Sequence, residues 1–94
     1  MPTTKKELLE TTIEAVAGRG LNYGRPEDNF ERIAIRWRTH LKNRFKVEVP
    51  IDAASVAMMM ADMKLARLEN MPEHHDSWID LAGYAACGAE IAVK

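Results

Sequence analysis

Residues 26–41 read Pro-Glu-Asp-Asn-Phe-Glu-Arg-Ile-Ala-Ile-Arg-Trp-Arg-Thr-His-Leu. Phe30, Ile33, Ala34, Trp37 and Leu41 fall at intervals of three and four, so on a helix they form one apolar stripe and leave the polar residues to the opposite face. Pro26 suits the first helical position, where its missing N–H costs no bond, and Glu27 and Asp28 favour the positive end of the dipole. A helix is therefore predicted from Pro26, and the rest of the chain must supply an apolar surface for its stripe.

Working outward, Thr4 and Glu7 have capping-box spacing, and Leu8, Leu9, Ile13 and Val16 recur at helical intervals. This predicts a first helix from about Thr4 to Ala17. Gly18 and Gly20 read as its end, which makes 19–25 a glycine-punctuated connection whose length suits a binding loop. On the other side, Phe45, Val47 and Val49 alternate with Lys46 and Glu48, a pattern for an extended connection or an edge strand closed by Pro50. Asp52 then caps a third helix through about Glu69, apolar on nearly all sides and thus in need of more than one covering surface. Pro72 marks a turn, Asp76 is the expected N-cap of a fourth helix, and Ala82, Gly83, Ala85, Ala86, Cys87, Gly88 and Ala89 give that helix a surface suited to close backbone approach.

The reading is all-α: one compact domain, 1–94, of about four helices. Two long antiparallel helices form its core, with a capping N-terminal helix and a C-terminal helix that mediates self-association. Four short helices have little interior, so a homo-oligomer is expected. The 94 residues are 47% hydrophobic and 29% charged, which argues against disorder, and a net charge of −1 lacks the basic excess for tight binding to long nucleic acid. The single cysteine, Cys87, has no partner for an internal disulfide, and no Cys and His stand at zinc spacing. With no signal-like N-terminus and no long apolar run, a reducing cytoplasmic setting without a membrane partner is expected.

Three groups of residues bear on chemistry. Tyr23, Arg25 and Asn29 suit a nucleotide, through stacking on Tyr23, a phosphate at Arg25 beside a helix N-terminus and a base edge at Asn29. The alternative packs Tyr23 on the first helix and pairs Arg25 with a surface carboxylate. Lys64 and Arg67 lie three apart on the third helix, and Asp76 and Asp80 four apart on the fourth, so the four charges are expected to face each other. A structural ion-pair cluster is favoured there over a carboxylate site for Mg²⁺. His74 and His75 point different ways, which disfavours metal ligation; His75 reads as a phosphate contact or cap partner. Met58, Met59, Met60 and Met63 read as core, and Cys87 as a buried small apolar residue.

Two blocks carry a resemblance: Tyr23-Gly24-Arg25-Pro26-Glu27-Asp28-Asn29-Phe30, continued by Arg32-Ile33-Ala34 and Trp37, and Asp76-Ser77-Trp78-Ile79-Asp80-Leu81-Ala82-Gly83-Tyr84-Ala85. With Lys64-Leu65-Ala66-Arg67 between them, the combination resembles, over roughly residues 8 to 90, a family of small phage and prophage proteins catalogued as a domain of unknown function. More distantly it is similar to the all-α nucleoside triphosphate pyrophosphohydrolases of MazG type. Those enzymes hold Mg²⁺ through a Glu-Glu-x-x-Glu motif on one helix and a Glu-x-x-Asp motif on the next. Glu27, Asp28 and Glu31 match the first with an aspartate in second place; Asp76 and Asp80 have one residue too many between them for the second. A functional resemblance is to phage sponges that sequester the cyclic oligonucleotide signals of bacterial antiviral defence.

The expectation that follows is an oligomer that sequesters a cyclic dinucleotide or trinucleotide through Tyr23, Arg25, Asn29, Lys64, Arg67 and His75, with no cofactor unless the chain is a Mg²⁺-dependent hydrolase, and with enzyme activity left open. Asp28, Asp76 and Asp80 are its structural carboxylates. Mg²⁺-dependent pyrophosphohydrolysis is the alternative.

Overall fold

The computed structural model describes residues 3–23 and 25–93, and the side chains of all of these except 19–23. Four helices follow one another, α1 Lys5–Tyr23, α2 Pro26–Phe45, α3 Ala53–Asn70 and α4 His75–Ala92, with no strand among the described residues. The chain is all-α, as its periodicities predict.

Local chemistry sets most of the helix ends. Glu7 N–H donates to Thr4 Oγ1 at 3.1 Å at the start of α1. Pro26 opens α2 behind an extended Arg25, and Glu27 and Asp28 occupy its first turn. Ser55 N–H donates to Asp52 Oδ1 at 2.8 Å and caps α3. That backbone hydrogen bond is the main reason the Asp52 carboxyl is held below its usual range. Between α2 and α3 the chain makes an irregular extended connection and not an edge strand. Arg38 reaches across it to the carbonyl of Ile51, which fastens the segment over α2 and leaves Ile51 buried.

Two boundaries differ from expectation. α1 runs through Gly18 and Gly20 to Tyr23, so the expected binding loop shrinks to the junction before Pro26. A helical glycine costs about 1 kcal/mol, a penalty that continued helical hydrogen bonding outweighs. At α4 the cap is His74, whose Nδ1 shares a 2.7 Å hydrogen bond with Ser77 Oγ, and Asp76 sits in the first turn.

The core is built by Phe30, Ala34, Ile51, Ala53, Val56 and Ala57, with Trp37, Met60, Tyr84, Cys87 and Ile91 packed against it. α3 and α4 form the most extensive pair and run antiparallel, because Lys64 meets Asp80 near one end and Ala57 meets Gly88 near the other. The small residues of α4 therefore act first within the chain: Gly88 faces Ala57, and Gly83 faces Val16 of α1. Of the methionines read as core only Met60 joins it; Met58, Met59 and Met63 are exposed.

These contacts predict opposite signs for two glycine substitutions. A Cβ at Gly88 would stand 2.9 Å from the Ala57 Cβ, so Gly88→Ala forces the helices apart and is expected to destabilise by about 1–2 kcal/mol despite better helix propensity. Nothing lies within 4 Å of a Cβ at Gly18, so Gly18→Ala is expected to stabilise by about 0.5–1 kcal/mol. Urea unfolding monitored at 222 nm reads both, and equal shifts of one sign would contradict the α3–α4 approach.

Candidate functional site

The rings of Phe30 and Tyr84 lie 6.1 Å apart between centroids, which places the start of α2 beside the middle of α4. The antiparallel α3–α4 pair brings the last two turns of α3 and the first two of α4 to one end of that pair, whereas Phe30 packs in the cluster of Ala53, Val56 and Ala57 at the start of α3. Lys64, Arg67, His75, Asp76 and Asp80 belong to that end; Arg25 and Asn29 lie at the start of α2, and no described contact joins them to it. The side chain of Tyr23 lies outside the described residues.

The charges separate into distinct environments. Lys64 Nζ stands 3.0 Å from Asp80 Oδ2, with side chains only 10% and 16% exposed, so this ion pair is an interior one. Arg67 and Asp76, expected to join it, are exposed and make no ion pair among the described residues. Arg25 Nε pairs with Glu27 at 2.8 Å and with Asp28 at 3.4 Å while 68% exposed. Solvent screening keeps such a pair weak. Asn29 is half-buried, and His75 is exposed at the first position of α4.

Beside Arg67 an open groove of about 530 Å³ runs between the end of α3 and the start of α4, lined by Met63, Ala66, Arg67, Asn70, Met71, His74 and Ser77. Its walls are apolar, and Arg67, Asn70 and the ordered His74–Ser77 pair supply its polar groups. Sequence reasoning did not join His74 and Asn70 to Arg67. The short connection around Pro72 was the signal, since it folds the last turn of α3 against the first of α4; Trp78 Nε1 fixes it by donating to the Pro72 carbonyl at 2.8 Å.

Of the carboxylates that resemble a metal motif, all but the exposed Asp76 have other partners among the described residues. Glu27 and Asp28 hold Arg25, Glu31 lies 3.7 Å from Arg38, and Asp80 holds Lys64. Among the described residues no three His, Cys, Asp or Glu side chains form a group suited to a metal ion. The donor set does not fit a two-metal hydrolase centre, which needs converging carboxylates without an ammonium between them. No helix among the described residues is long and apolar enough to cross a membrane.

A bundle of four helices with an interior Lys–Asp pair and a cation-bearing groove at one end defines a small all-α protein of the phage type that the two sequence blocks resemble. The chain belongs to the family described as Domain of unknown function (DUF6378), whose model matches residues 7–92. It is 37% identical over 83 residues to the Gene 55 protein of Mycobacterium phage D29, covering 87% of this chain and 51% of that protein. It is also 37% identical over 79 residues to the Gene 55 protein of Mycobacterium phage L5, covering 83% and 47%. The chain thus spans about half the length of the curated relatives it matches. No solved structure matches it.

Proposed function

We propose that this protein binds a nucleotide-class phosphate ligand at the α3–α4 end and sequesters it without hydrolysis, acting on cyclic oligonucleotide signals in the cytoplasm of a phage-infected cell. The observation that carries the reading is the division of labour between two cations. Lys64 pairs with the interior Asp80 carboxylate, whereas Arg67 stands at the edge of an apolar-walled groove with no ion-pair partner among the described residues. Methionine walls accept the face of a base, an arginine accepts a phosphodiester, and no carboxylate lines the groove to repel the anion. In this reading Arg25, Asn29, His75 and Tyr23 extend the site along a ligand larger than a mononucleotide. Asp28 and Asp76 remain structural or solvated carboxylates in this reading.

Titration calorimetry with a cyclic dinucleotide and a cyclic trinucleotide tests it. Arg67→Ala is expected to weaken binding by about 1.5–3 kcal/mol, the worth of a charge-assisted contact, in a protein that stays folded. Arg25→Ala and Tyr23→Ala report whether the ligand extends to the α1–α2 junction. Ligand recovered chemically intact after denaturing the protein supports sequestration. Release of pyrophosphate from nucleoside triphosphates in Mg²⁺ would replace it with the hydrolase reading, and no heat with either cyclic ligand would reject the site.

A further inference from the structure

α3 packs on both α2 and α4, and its outward side has no partner among the described residues. Met59, Met63, Ala66 and Asn70 recur there at i, i+4, i+7 and i+11, an uncharged line with the spacing of a helix–helix seam. Met59 is 43% exposed and Met63 39%; Met58 and Leu65, also exposed, lie further round the helix beyond Asp62 and Glu69 and are not part of the line. Isolated apolar side chains need no explanation on a surface, but a line of them on the central helix of a bundle does.

The overall dimensions ask for the same thing. A compact monomer of 10.6 kDa exposes about 5,500 Å². This chain exposes 6951 Å², a surplus of about 1,500 Å² over that expectation. Its radius of gyration is 14.7 Å, against about 12 Å for a compact domain of this length. A standard interface buries about 800 Å² on each partner, so the surplus is enough for one. A net charge of −1 gives two copies little mutual repulsion.

We propose that the outward face of α3 is the docking surface for a second copy of this chain, with the Met59–Met63–Ala66 line of each copy packed on that of the other. The sequence points to self-association through the small residues of α4 together with the broad apolar surface of α3; the α4 glycines are taken up by α1 and α3, which leaves the surface on α3. The proposal does not need the ligand reading, but the two compete for a surface, because Met63, Ala66 and Asn70 also line the groove and pairing covers its open side.

Sedimentation and light scattering on the full chain without ligand, from about 1 to 100 μM, test it. The expected mass is twice 10.6 kDa at the upper concentrations. Met59→Glu combined with Met63→Glu should return it to the monomer with helical circular dichroism retained, and Met63→Gln, milder to the fold, should weaken the dimer at least tenfold. Ile13→Glu, on exposed α1, should leave the mass unchanged. A wild-type monomer throughout the range, which would leave the face to a different protein or to water, overturns the proposal. So does a dimer that survives both methionine changes, or one lost equally in the α1 control. Absence of cyclic-nucleotide binding at concentrations where the chain is monomeric sinks only the ligand reading, and a chain that binds one yet stays monomeric throughout the range sinks only this inference.

Discussion

Lys64→Met is expected to cost about 3 kcal/mol of stability, the lower end of the range for breaking an interior ion pair. The Asp80 carboxylate, only 16% exposed, loses an ammonium 3.0 Å away that nothing in methionine replaces. Asp80 holds other contacts, which keeps the loss from the upper end of that range. The converse follows from the same physics: Lys64→Met with Asp80→Leu removes both charges and should recover most of the loss, since two desolvated ions are exchanged for apolar packing. Urea unfolding of the two single variants and the double closes the cycle. A single-variant cost below about 1 kcal/mol would mean a solvated pair of surface type. The double variant also separates structure from binding: a folded double variant that still takes up ligand leaves phosphate recognition to Arg67, whereas one that has lost it assigns Lys64 a direct contact.

This pairing was the part of the site most legible in the sequence. Cations three apart on one helix and carboxylates four apart on the next lie on single faces, and a short Pro72-containing turn makes those helices antiparallel neighbours. What spacing did not reveal was which charge of each couple points inward, because that depends on the rotation of each helix about its axis, set by tertiary packing. The starts of α2 and α3 were likewise legible, since Pro26 and Asp52 act through local bonds. The end of α1 was not, because a glycine has the same local signature inside a helix as after it; Gly18 lies within one. The methionines of α3 misled for a related reason. Their number gave the helix an apolar surface all round, but only the side turned to α2 and α4 is covered within the chain.

Phe30→Ala should have the largest effect of all, about 3–5 kcal/mol, as expected when a core aromatic is truncated. Phe30 is 6% exposed, and its ring meets Tyr84 with planes tilted at 47°. Through this contact the two sequence blocks that carry the family resemblance join in space, with Phe30 closing the first and Tyr84 near the end of the second. Their pairing locks α2 to α4, elements that otherwise touch little. For a domain of this size each kcal/mol lowers the melting temperature by about 4–8 °C, so the variant should melt at least about 12 °C lower or be unfolded at room temperature. Two further variants keep the reading testable if it does not fold. Tyr84→Phe retains the ring and should stay within about 0.5 kcal/mol of the parent, while Phe30→Leu keeps much of the volume and should lose about half as much as alanine. A Phe30→Leu protein with near-parental stability and sharply weaker nucleotide binding would instead make Phe30 a stacking residue. The geometry argues against that, because a ring already packed between α2 and α4 has no face left for a base, and recognition falls to the groove beside Arg67.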